Sequence, residues 1–135
     1  MTIEQLENFE QLASRAVACK HWRWMPGMLS DKGLRVTRCD DDGYIVGYYE
    51  HLSYVAECVK GSTPDLRDPA TIGCLLALVR EAWEPYRNGD PICSTFQWTD
   101  RWGVGAIVPT GFAPIVLSTY PTEVMALVAA LEAAP

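Results

Sequence analysis

Apolar residues run nearly all the way round one stretch of this chain, Pro69–Trp83, and that stretch constrains everything placed around it. Asp68 stands just before it, where a carboxylate caps free backbone N–H groups, and Pro69 takes the first helical position, where its missing N–H costs nothing. Along the helix so started, Ile72, Leu75, Leu76, Val79 and Trp83 form one stripe, while Cys74, Ala77 and Leu78 carry the apolar surface round most of the circumference. A helix of this kind must be covered on several sides. It is therefore predicted to be the most buried element, with Leu75, Leu76 and Val79 innermost.

The covering elements are legible on both sides. Thr2 and Gln5 fit a capping box, and Leu6, Phe9, Leu12, Ala13, Ala16 and Val17 recur at helical spacing, which predicts a first helix over Ile3–Ala18. Met25-Pro26-Gly27-Met28 suits a type II turn, with proline presetting φ and glycine accepting a positive one. Leu34–Cys39, Tyr44–Tyr49 and Tyr54–Val59 then read as strands of a meander, with Asp40–Gly43 as a turn. After the central helix, Pro85, Asn88-Gly89 and Asp90-Pro91 break the chain. Three further strand-like runs come next, Cys93–Thr99, Gly103–Val108 and Pro114–Thr119, joined by turns at Asp100-Arg101-Trp102 and Pro109-Thr110-Gly111. Pro121 opens a last helix with Glu123 near its positive end and Val124, Leu127, Val128 and Leu131 on its inner stripe.

The predicted order is α-βββ-α-βββ-α, an α+β fold in which one antiparallel sheet, or two small ones, carries helices on one face. At 135 residues, two independent cores would each be marginal, so residues 1–135 are read as a single domain. With 49% apolar and 21% charged residues the chain is far from the composition of disordered proteins.

Charge narrows the partners. Eleven basic against 17 acidic residues give a formal net charge of -6, which repels nucleic acid and anionic lipid. The start at Met1–Gln5 lacks the basic and apolar segments of a secretory signal, and no apolar run reaches the roughly 20 residues that span a bilayer. Five cysteines, Cys19, Cys39, Cys58, Cys74 and Cys93, include no CxxC pair and read as reduced thiols in a cytoplasm.

No pattern in the chain carries a catalytic set. Cys19, Cys58 or Ser53 with His21 or His51 are the only formal nucleophile and base combinations, and none lies in a recognisable signature. Cys19, His21, His51 and Cys58 lack zinc spacing, so no metal site and no cofactor are expected. Asp40-Asp41-Asp42 lacks the alternating ligands of a calcium loop, and Gly103-Val104-Gly105 lacks the later glycine of a phosphate cradle. The most informative constellation is Trp22-Arg23-Trp24, with Arg35 and Arg38 further on. In an extended segment Trp22 and Trp24 share one face, and a guanidinium pairs with phosphate or stacks on a ring. Trp102, beside a turn, is a further aromatic available to a partner. Trp22, Arg23, Arg35 and Trp102 are thus the candidate binding residues, against the competing reading that such tryptophans seal the edge of a core.

Trp22-Arg23-Trp24-Met25-Pro26-Gly27-Met28, the stretch from Pro64 to Trp83, and Thr122–Glu132 together resemble segments of short uncharacterised proteins encoded by tailed bacteriophages and prophages. The resemblance implies a small accessory protein acting inside a bacterial host cell, for instance in countering host defence. It transfers no activity. The expected function is non-enzymatic binding of a host protein. The alternatives are a binder of a nucleotide-like small molecule and a small enzyme with a Cys/His site.

Overall fold

The computed structural model describes residues 3–39, 45–49, 54–57, 62–84, 93–98, 101–108, 111–114 and 120–135, and of residues 3–8, 54–57, 93, 98, 106–108 and 111–114 it describes the backbone alone. The elements are α1 (Ile3–Ala18), β1 (Leu34–Cys39), β2 (Ile45–Tyr49), β3 (Tyr54–Glu57), α2 (Pro69–Trp83), β4 (Cys93–Trp98), β5 (Arg101–Val108), β6 (Gly111–Pro114) and α3 (Glu123–Ala133). This is the α+β order read from the sequence, with two antiparallel sheets, β1-β2-β3 and β4-β5-β6. The chain forms two compact units. The first is Met1–Ala18 with Trp22–Cys74, the second Cys19–His21 with Leu75–Pro135, so α2 contributes residues to both. No helix among the described residues is long and apolar enough to cross a membrane. Thr2, the Asp40–Gly43 turn, His51, Ser53, Cys58, the breaks at Pro85, Asn88-Gly89 and Asp90-Pro91, Asp100, Pro109-Thr110 and residues 115–119 lie outside the described residues.

In the first unit, the inward face of the sheet alternates as a half-buried strand pair must, with Leu34, Val36, Ile45 and Gly47 buried. Gly47 faces Val36 across the ladder, and a Cβ there would collide with the Arg35 carbonyl oxygen, so only glycine fits. Thr37 is the extra residue where the register shifts between Val36 and Arg38, and its hydroxyl donates to the Val46 carbonyl at 3.1 Å. Leu12, Ala13 and Ala16 form the buried stripe of α1, whereas Val17, in the last turn, is 37% exposed against expectation.

Residues 27–30 fold back along β1, an addition that the hydropathy pattern did not announce. Gly27 N–H donates to Val36 O, Val36 N–H to Met28 O, and Ser30 N–H to Leu34 O, each at 2.8 Å. Gly33, at φ 86°, closes the tight turn, and the buried Ser30 hydroxyl accepts from the Leu34 N–H at 3.0 Å. On the other side of this segment, Asp31 N–H donates to Thr63 O and Asp65 N–H to Leu29 O, both at 2.8 Å. Residues 27–31 thus lie between β1 and the strand-like stretch before α2.

In the second unit α3 packs against β4 and β5. Thr122, not Pro121, is its N-cap, the hydroxyl accepting from Met125 N–H at 3.2 Å. Val124 and all residues from Ala126 to Leu131 are buried, which makes α3 the more completely covered helix rather than α2. Its alanines permit that close approach. The Trp83 indole N–H donates to Ala130 O at 2.9 Å, so Trp83 is half-buried with a polar anchor rather than wholly core. Arg101 and Trp102 belong to β5, not to a turn, because Trp98 pairs with Arg101 and Gln97 with Trp102. Gly111 begins β6 opposite Val108, three residues before the predicted strand start at Pro114.

The buried stripe of α2 also differs from expectation. Thr71, Leu75, Leu78, Val79 and Ala82 are buried, a regular helical series, whereas Leu76 is only half-buried. Ranking residues by apolar size passes over Thr71, whose bonds fix the rotation of the helix. Leu78→Ala is expected to lower the unfolding free energy by about 2–5 kcal/mol and Leu76→Ala by clearly less, as read by urea melts. Equal losses would overturn the rotation described. Gly47→Ala should cost about 1–3 kcal/mol or more in the same assay, because the colliding atom is backbone.

Candidate functional site

Beyond the end of α1, residues 22–25 have no helical or strand bonding, so the side chains there hold their places through packing and through the turn at Met25–Met28. Trp22 and Trp24 meet edge to face, with ring centroids 5.7 Å apart and planes at 77°, within the favourable range for aromatic pairs. The expectation that these rings share a face therefore holds. Arg23, between them in sequence, is exposed, and both rings are half-buried. The Trp22 indole N–H is shielded from solvent and has no acceptor among the described residues.

The Met25–Met28 turn closes with Met28 N–H donating to Met25 O at 3.2 Å, and Gly27 takes φ 100°, as its place in the turn requires. Arg35 fixes this turn from β1. One Nη1 N–H donates to Gly27 O at 2.9 Å; Nη1 also reaches Asp68 Oδ2 at 2.7 Å, and Nη2 reaches Asp68 Oδ1 at 3.1 Å. The pair is a planar fork on a carboxylate, the geometry that arginine suits and lysine does not.

Asp68 in turn caps α2 as the sequence predicts, its Oδ2 accepting from Thr71 N–H at 3.0 Å and from the Thr71 hydroxyl at 2.9 Å. The Thr71 Oγ1 accepts the Leu29 N–H at 2.9 Å. One carboxylate therefore joins β1, the Met25–Met28 turn, the folded-back segment and the start of α2. Hydrogen bonding from Arg35 is the main cause that holds the Asp68 carboxyl below the ordinary range; burial opposes it, and the Thr71 bonds assist.

Chemically this cluster is a brace. Its carboxylate stays ionised with its oxygens occupied, which suits neither a general acid nor an open ligand site. Burial first, and the Asp68 charge second, push the Cys74 thiol up, away from the reactive thiolate. Cys74 Sγ lies 3.7 Å from Pro26 O, a weak contact. His21 Nε2 donates to Pro135 O at 2.8 Å. No group of three or more His, Cys, Asp or Glu able to hold a metal ion occurs among the described residues.

Of the four sequence candidates, Trp22, Arg23 and Arg35 belong to the first unit and Trp102 to the second. Arg35 is engaged by Asp68 and Gly27 and so braces the segment that carries Trp22 and Trp24. Trp102 exchanges backbone bonds of 2.7 Å with Tyr120 and is half-buried. Sequence reasoning saw Asp68 only as a cap and missed Thr71 and Ser30. A threonine three residues after a capping aspartate was the available signal. Comparison with protein-family models, with curated proteins and with solved structures found no match to this chain.

Since the folded-state pKa of Asp68 lies below its ordinary value of 3.8, the stability it contributes is fully present above that value and is lost as pH falls through the folded-state pKa. Asp68→Asn should lower the unfolding free energy at neutral pH by about 2 kcal/mol and flatten the acid limb of the stability profile. Thermal melts from neutral pH down to pH ~2.5 check both. An acid limb identical in the variant and the parent would show that Asp68 does not carry it.

Proposed function

We propose that the protein is a non-enzymatic accessory protein of bacteriophage or prophage origin, acting in the bacterial cytoplasm by binding a host protein through the Trp22-Arg23-Trp24 face of its first unit. The observation that carries this reading is the edge-to-face tryptophan pair, half-buried on an irregular segment, with an exposed arginine between the two rings in sequence. Tryptophan and arginine are the residue types most enriched where a few side chains dominate a protein interface. The brace beneath supports the reading from another direction. A binding segment held by a forked ion pair and a reversing turn loses little freedom on association, and such preorganisation raises affinity without new contacts.

The nucleotide-like ligand alternative loses support at Arg35. Both of its Nη groups are engaged by Asp68, and releasing them for a phosphate would leave a partly buried carboxylate unpaired. Trp102 has no part in the proposed face, which stands on the first unit alone.

Arg23→Glu and Trp22→Ala should each weaken capture of the partner by about 2 kcal/mol or more, measured with the purified host protein recovered by affinity capture from a bacterial lysate. Arg23→Glu should lower the melting temperature less than Trp22→Ala does, since Arg23 is exposed and Trp22 is half-buried. If both variants bind as the parent does, this face is not the binding surface.

A further inference from the structure

A cleft of about 200 Å³ opens in the first unit, away from the residues assigned above, and is lined by Phe9, Glu10, Ala13, Asp31, Thr63, Pro64, Asp65, Leu66 and Arg67. Its walls are firmly set. Its lining is polar for the larger part and includes the apolar residues Ala13, Pro64 and Leu66, which are buried, and Phe9, which is half-buried; Phe9 and Ala13 stand one turn apart on α1. The opposite wall is pinned by the 2.8 Å backbone bonds from Asp31 N–H to Thr63 O and from Asp65 N–H to Leu29 O.

The rim is charged and its charges do not cancel. Asp65 is spoken for, because its Oδ1 accepts from Arg67 N–H at 3.0 Å and from Arg67 Nε at 3.2 Å. Glu10 and Asp31 are exposed at the same cleft, and neither carboxylate has a hydrogen bond or ion pair among the described residues. Apolar side chains at the same cleft as two uncompensated carboxylates match an alkyl stem that ends in a cation. Size separates the sources of such a group. Pockets that enclose a whole small-molecule ligand run to roughly 300–1,000 Å³, and this one is smaller, on the scale of a single side chain.

We propose that this cleft receives an arginine or lysine side chain of a partner protein, its methylenes on Phe9, Ala13 and Pro64 and its charge between Glu10 and Asp31. The net charge of -6 draws a basic partner segment toward the chain, and the cleft gives that attraction a fixed address. None of Trp22, Arg23, Trp24 or Arg35 lines the cleft, so this inference stands or falls separately from the tryptophan face.

The test is an amide-resolved NMR titration of the full chain with the blocked tripeptide acetyl-Gly-Arg-Gly-amide, its lysine counterpart and a citrulline counterpart, which keeps the arginine shape without the charge. The arginine or the lysine peptide should shift the resonances of residues 9–13, 31 and 63–67, and the citrulline peptide should not. The Glu10→Gln/Asp31→Asn double variant should bind the responding peptide about tenfold more weakly, with Asp31→Asn alone in between, as expected when charge-assisted bonds are lost. Both residues are exposed, so the melting temperature should hold in each variant. Equal shifts from the citrulline and arginine peptides, equal affinity in the double variant, or no shift from either basic peptide at millimolar concentration would each overturn the proposal.

Discussion

The first unit depends on a single forked ion pair, Arg35 with Asp68, between residues far apart in sequence. A half-buried ion pair alone contributes little to stability, because desolvation offsets most of the Coulomb attraction. Here the balance differs, since the carboxylate also takes the Thr71 N–H and hydroxyl while the guanidinium also donates to the Gly27 carbonyl. The polar capacity left over from the pair is used to fix backbone. The result is specification more than strength: the ends of α2 and β1 and the reversal at Gly27 are set against one another by groups that accept few other arrangements.

The rotation of α2 follows from the same bonds. Thr71 is held inward by Asp68 and by Leu29 N–H, and from that anchor the buried series Leu75, Leu78, Val79 and Ala82 is dictated by helical period. The sequence made the helix and both its ends legible, because an Asp-Pro start and an apolar run are local signals. It did not make the rotation legible, because on a helix apolar nearly all round the hydropathy pattern has no strong preferred face. Polar contacts made over a distance then decide. The burial of α3 was underread for the converse reason, since alanine adds little to a hydrophobic stripe, yet Ala126, Ala129 and Ala130 are buried. Arg101 and Trp102 looked like turn residues, and cross-strand pairing with Trp98 and Gln97 overrode that preference.

At the candidate site the sequence showed the tryptophan pair and did not show the partner of Arg35. Alternation along an extended segment is a two-residue rule and needs no tertiary information, so the meeting of Trp22 and Trp24 could be foreseen. The partner of Arg35 could not, because nothing local distinguishes a guanidinium awaiting a ligand from one matched by a carboxylate elsewhere in the chain. The cleft beside α1 was hidden for a related reason. Its charged rim is assembled from Glu10 on α1 and from Asp31, Asp65 and Arg67, which the backbone bonds between residues 29–31 and 63–65 hold together.

Several polar groups in the first unit have a folding role that accounts for them. Ser30 closes a turn, Thr71 sets a helix, Asp65 holds Arg67, and Asp68 caps and braces. The groups on which the two proposals rest have no such role among the described residues. The Trp22 indole N–H is buried without an acceptor among the described residues, a situation that costs about 1–3 kcal/mol where no partner exists, and a phenylalanine could give the same edge-to-face contact with Trp24. Glu10 and Asp31 bring two negative charges to one cleft with no counter-charge of their own, although neutral residues would serve its exposed rim as well. Neither the buried indole donor nor these two carboxylates gains a partner from the described residues. In this unit they lie in two places, beside the paired indoles and at the mouth of the cleft.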